Sequence, residues 1–214
     1  MNRQSLLKYV HRLGYLTTLI VVIQLLFLSY IGIAEWRKRE ERREATQMHR
    51  GPATERLRVL YGGEADAKLL DRLPRLETLK PDGFRFLASP SFNDMDFAIA
   101  VRRTSSGGDG VLLMTPRNAA GEGDQPVSFQ LSVSDYDRLA SDLDELAGEW
   151  KGEASWWTDG TGVVLERVCN DKVSSGFGNS PNFYGKVSAR VFAAVRPLIP
   201  QLADLDGSWH SKNR

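Results

Sequence analysis

The chain has 214 residues, 42% hydrophobic and 26% charged, a globular balance that excludes a disordered or collagen-like polymer. With 28 Lys and Arg against 27 Asp and Glu the formal charge is +1, which lacks the basic excess of a nucleic-acid binder. The lone cysteine, Cys169, excludes an internal disulfide framework, and a domain of about 160 residues can bury enough apolar surface to fold without one.

The near-neutral total conceals a split. Residues 1–50 carry nine Lys or Arg against four Glu, net +5, so residues 51–214 are net −4. The basic part opens with a tail, 1–12, holding Arg3, Lys8 and Arg12. Residues 13–34 (LGYLTTLIVVIQLLFLSYIGIA) are uncharged, and these 22 residues predict one helix of roughly 33 Å, enough to cross a hydrocarbon layer about 30 Å thick. Tyr15, Tyr30 and Trp36 lie near its ends, where amphipathic rings favour the interface. Gln24 is the one amide at mid-depth, where it prefers a partner and marks a candidate helix–helix contact in the membrane. A cleaved signal peptide is the rival, with Gly32-Ile33-Ala34 as a small-x-small site. The uncharged run exceeds an ordinary signal core, however, and Arg37-Lys38-Arg39 follows as a stop-transfer cluster. Six basic residues follow the span and three precede it. That bias leans toward a cytoplasmic domain, although long C-terminal domains translocate regardless of charge, which leaves the side open.

Residues 35–50 are good helix formers of mixed charge, predicting a solvated helical stalk. Gly51-Pro52 breaks it and opens a globular domain over 51–214. Helices are expected over 54–61 and 64–73, with Leu69, Leu70, Leu73, Leu76 and Leu79 in the core. The period then changes from 3.6 to 2. Strands are expected at 84–88, 95–101, 110–114 and 127–131, pairing as an antiparallel meander, with 105–110 and 118–125 as flexible turns. A long helix follows, capped near Ser134, whose residues Tyr136, Leu139, Ala140, Leu143, Leu146, Ala147 and Trp150 line one face. Asp135, Asp137, Asp142, Asp144, Glu145 and Glu149 make the rest anionic. Asp159-Gly160 predicts a tight hairpin between strands at 155–158 and 162–169, and a short strand is expected at 172–175. A last helix starts at Asn179 or Ser180 with Pro181 in its first turn, buries Tyr184, Val187, Val191 and Val195, and ends at Pro197 and Pro200. The pattern is α+β: one antiparallel sheet with packed helices, behind a single N-terminal transmembrane helix. The element order resembles that of small secretion chaperones, although order alone does not fix function.

No catalytic, cofactor or metal constellation emerges. His11, His49 and His210 are far apart in the pattern and share no environment with Cys169, which ends an apolar strand as a small packed hydrophobe. Gly107–Gly110 and Gly121–Gly123 lack the spacing of phosphate loops. Asp109 and Asp124 lack the spacing of a calcium loop. The densest functional-looking segment is Trp156-Trp157-Thr158-Asp159-Gly160, with Glu166 across the hairpin. Adjacent strand residues face opposite sides, so one tryptophan is core and the other a candidate recognition anchor. Phe177, in the 176–181 loop, is a second candidate anchor. The expectation is a membrane-anchored, non-catalytic protein-binding domain, an accessory, assembly or scaffold component. Its candidate contacts are Trp156, Trp157, Phe177, Asp142, Glu145 and Glu149; its partners are the bilayer and another protein, not nucleic acid; and it needs no cofactor. One alternative is a membrane-anchored hydrolase using Asp159, Glu166 and Asp171, with Glu166 otherwise paired to Arg167 or another base. The other is a sensory domain holding a small molecule between the sheet and the last helix.

Overall fold

A computed structural model describes residues 3–59, 63–91, 94–117, 126–153 and 160–212, with side chains from residue 14 onward. Helix α1 (Arg3–Thr46) runs 44 residues without interruption, and from Gly14 it is long and apolar enough to cross a membrane. Large side chains such as Leu19, Leu26, Phe27 and Ile33 are exposed along it. No break separates the uncharged stretch from the charged one. Residues 35–46 are strong helix formers, braced by the ion pairs Lys38–Glu35 and Arg43–Glu40. The helix stops at Thr46, and strand β1 (His49–Arg50) precedes the expected domain start at 51.

Six further strands follow: β2 (Asp82–Pro90), β3 (Met95–Thr104), β4 (Gly107–Pro116), β5 (Val127–Leu131), β6 (Thr161–Cys169) and β7 (Lys172–Gly178). All pair antiparallel in one sheet of order β1-β7-β6-β2-β3-β4-β5. Strands β2 to β5 form the expected meander. Helices α2 (Thr54–Arg58) and α3 (Gly63–Asp71), with a 3-10 turn at Leu76–Leu79, cover part of one face. Helices α4 (Val133–Glu149) and α5 (Tyr184–Val195) cover the other. Strand alternation divides the core accordingly. Phe84, Phe86, Phe97 and Ile99 pack against α4, α5 and Trp209, while Leu87, Ala98, Val164 and Val168 pack against α2, α3 and the expected leucines. The fold is α+β with an antiparallel sheet.

Three local expectations are corrected. Glycines 107–110 belong to β4 and leave only Ser105-Ser106 as the turn; a side chain at Gly110 would overlap the Phe129 ring of β5, so glycine there serves close packing. The cap of α4 is Ser132, whose Oγ accepts the Asp135 N–H at 3.1 Å, in place of Ser134. Strand β6 turns into β7 at Asn170-Asp171, with φ of 49° and 64°. The strand expected at 155–158 and Asp159 of its expected turn lie outside the described residues. Helix α5 starts at Tyr184, after a turn in which Ser180 Oγ accepts the Asn182 N–H at 3.2 Å, but its buried face is Tyr184, Val187, Val191 and Val195 as expected.

Candidate functional site

The most heavily constructed part of the molecule is where α1 meets the domain. The last carbonyls of any helix lack partners within the helix. Here the domain supplies them: Thr46 C=O accepts the Trp150 Nε1–H at 2.8 Å and the Tyr184 hydroxyl at 2.5 Å. Thr46 Oγ1 donates back to Arg42 C=O at 3.0 Å and accepts the Glu153 N–H at 2.8 Å. Gln47 Nε2 donates to Lys151 C=O at 3.1 Å. Trp150 ends α4, and Phe183 and Tyr184 open α5, so the cap draws both helices to the end of α1. Trp150 stacks on Phe183 with centroids 4.6 Å apart, and Tyr184 meets both rings edge-on. Burial pushes the Tyr184 phenol above its ordinary range, which keeps its proton available to the Thr46 carbonyl. The loop closes against α1 because Gly152 has φ of 81°, and any side chain there would run into the Arg43 backbone.

Two adjacent charged residues on β6 staple the two helical layers. Glu166 is 0% exposed and Arg85, beside it on β2, is 5% exposed. Arg85 Nε donates to Glu166 Oε2 at 2.5 Å, Ala53 N–H donates to Glu166 Oε1 at 2.6 Å, and Arg85 Nη1 donates to Leu70 C=O at 3.2 Å. The pair therefore ties the start of α2 and the end of α3 to the sheet. Arg167 points to the opposite face, as strand alternation requires. It donates two hydrogen bonds to the Asp144 carboxylate of α4, from Nε and Nη2, both at 2.9 Å, and pairs with Asp82, which also accepts the Tyr136 hydroxyl at 2.9 Å. A Glu166–Arg167 pair is thus excluded by geometry. Both Glu166 oxygens are engaged away from solvent, and Asp171 sits in the turn at the far end of β6. The structure does not bring these two carboxylates together.

The acidic face of α4 is partly consumed internally: Asp135 pairs with Arg138, Asp137 with Arg103, Asp142 with Arg190 at 3.4 Å, and Asp144 with Arg167. Glu145 and Glu149 are exposed and form no ion pair among the described residues. Phe177 lies on β7, not in a loop, and the Arg56 guanidinium sits 5.1 Å from its ring centre. Arg56 also donates to Ser175 C=O at 2.8 Å. Trp156 and Trp157 lie outside the described residues, as do Asp124 and residues 121–123. Gln24 stands exposed at the middle of the apolar stretch of α1. Cys169 is half-buried at the end of β6. Asp109 is committed to Arg102 and Gln130, and no metal-binding cluster occurs among the described residues.

Among the described residues, the space between the sheet and α5, where a small molecule is expected in the sensory reading, is packed with Phe183, Tyr184, Val187, Val191 and Trp209. An open cleft of about 300 Å³ lies at the N-terminal end of α5, lined by residues including Thr161, Pro181, Gly185, Ser188, Ser208 and His210. A shallow groove of about 270 Å³ crosses the uncovered part of the sheet near Leu79, Ala100, Arg102 and Val111. No family model matches the chain, and no curated protein or solved structure matches it.

What was missing from sequence reasoning was the cap and the staples. Thr46, Trp150 and Tyr184 are 104 and 138 residues apart in pairing, and no local period signals such contacts. A partial signal existed for Arg85 and Glu166: each is a charge with apolar neighbours two positions away along its strand, on a face that the sheet buries, a position that demands an opposite charge nearby.

Proposed function

We propose that the chain is a single-pass membrane-anchored docking component whose α+β domain is held close to the bilayer in one orientation and binds another protein without catalysing a reaction. The carrying observation is the unbroken passage of α1 from the apolar stretch into a buried cap. From Ala34 to Thr46 the helix extends about 18 Å at about 1.5 Å per residue, and no flexible linker intervenes before β1 enters the sheet. A domain tethered only for retention needs no such joint. An orientation-holding joint suits a surface that must meet a partner at fixed height. Glu145 and Glu149 offer the uncommitted charge for that contact, on the same helix whose end caps α1. Six basic residues after the span against three before it favour a cytoplasmic domain.

The test is crosslinking of the full chain in its membrane, followed by capture, comparing wild type with a Glu145→Lys/Glu149→Lys variant. A stoichiometric partner lost in the variant supports the proposal; recovery of the chain alone, or of the same partner from both, removes it. A second function, sensing a small molecule, is favoured by the cleft at the start of α5, because Gly185 in its lining follows Tyr184 of the cap. A rise in Tm with one member of a metabolite panel supports that alternative, and a flat panel removes it.

A further inference from the structure

The apolar stretch of α1 is two-sided. At about 100° per residue along one continuous helix, every Gly, Ser, Thr and Gln between residues 13 and 34 falls within one arc of about 140°: Gly14, Thr17, Thr18, Gln24, Ser29 and Gly32. Leu19, Ile23, Leu26, Phe27, Tyr30 and Ile33 belong to the remaining arc. Two of the hydroxyls are satisfied within the helix, Thr18 Oγ1 donating to Gly14 C=O at 2.9 Å and Ser29 Oγ to Leu25 C=O at 2.8 Å. Gln24 is different: its amide has no hydrogen-bond partner among the described residues. It also sits at the midpoint of the uncharged run, the depth at which an unpaired amide is most costly in lipid.

The charge pattern beyond this stretch says what the face meets. Continued upward, the same arc carries Arg39 and Arg42, with Glu35, held by Lys38 at 3.3 Å, and Arg43, which pairs with Glu40 at 3.1 Å and packs against Gly152 of the domain. Glu40, Glu41 and Glu44 lie on the remaining arc, together with Arg37 and Lys38. In a membrane, two copies of the chain run parallel, and a closed two-fold pair would use this same face on both copies. That would set Arg39 and Arg42 against themselves. We infer that the Gln24 face packs against one transmembrane helix of a different protein, which offers a hydrogen-bonding side chain at mid-depth and acidic residues just past the bilayer on the side of this domain. The inference deepens the docking proposal and rests on its membrane anchor.

The experiment places a photoreactive residue at Leu28, inside the arc, or at Leu26, opposite it, in the full chain in its own membrane. An adduct from position 28 and not 26, with a partner that mass spectrometry shows to be acidic beside its span, is the expected result. Gln24→Leu should lower its yield about threefold to tenfold, the cost of one interhelical amide bond, and Arg39→Glu should lower it as well. An adduct of twice the chain mass, adducts to lipid alone from both positions, or a yield indifferent to Gln24→Leu each overturn the inference. A partner without such acids, or indifference to Arg39→Glu, overturns its charge assignment. Failure of the anchor itself would show differently, as intact chain in the soluble fraction without detergent.

Discussion

Asp66 on α3 shows what a single partly buried side chain contributes. Ser89 Oγ donates to its Oδ1 at 3.1 Å, yet burial outweighs that bond and raises the carboxyl to about 6. A carboxyl whose folded value lies above its unfolded one is stabilising when protonated. Its contribution is therefore complete below about pH 4, and stability falls as pH rises toward 6 and stays lower above it. Asp66→Asn should remove this slope and raise stability at pH 8 by about 1–2 kcal/mol, with no gain at pH 4, measured by urea unfolding at both values. Glu166 has the opposite character. Glu166→Ala leaves Arg85 buried without its charge partner and should cost about 3–5 kcal/mol, whereas Arg85→Met/Glu166→Leu together should cost far less, because an apolar pair needs no compensation. If the single and double variants unfold at the same denaturant midpoint, the staple is not electrostatic.

At the scale of elements, the cap at Thr46 joins three helices whose sequences give no hint of one another. Tyr184→Phe removes one of two donors to the Thr46 carbonyl and should cost about 1 kcal/mol. Gly152→Ala should cost more, about 2 kcal/mol or above, since it places a side chain at positive φ and against the Arg43 backbone. Hydrogen exchange of the Glu153 amide, bonded to Thr46 Oγ1, reports on the joint directly. Both variants should speed it, while amides in β3 stay protected. The strands and the buried faces of α4 and α5 were legible because periods of 2 and 3.6 are local properties. The turn at 105–110 was misread for a physical reason: glycine marks both a reversal and a place where a neighbouring ring comes close, and only the position of Phe129 distinguishes the two.

For the whole molecule, the joint turns a tether into a lever of fixed angle. Spin labels at Glu35→Cys and Glu145→Cys, in a Cys169→Ser background, should give one narrow distance distribution, and two glycines inserted after Thr46 should broaden it. A broad distribution without the insertion would mean that the domain swings freely and would remove the physical basis for oriented docking. The opposite consequences of Glu166 and Arg167 belong to this scale as well. One dipeptide fastens a helical layer to each face of the sheet, so β6 is the strand through which the two cores are mechanically connected.

The amino-acid order alone determined the long apolar helix, the α+β class, the meander and most of the buried faces, since each follows from hydrophobic spacing within a window of a few turns. Tertiary structure decided where β6 and β7 insert, which acids of α4 are already neutralised, that Glu166 serves as a buried staple, and that α1 ends in a cap. Those outcomes depend on contacts between residues some 25 to 140 positions apart, and hydrogen bonds and ion pairs at that separation leave no periodic trace, because either partner is compatible with many others until the chain has folded.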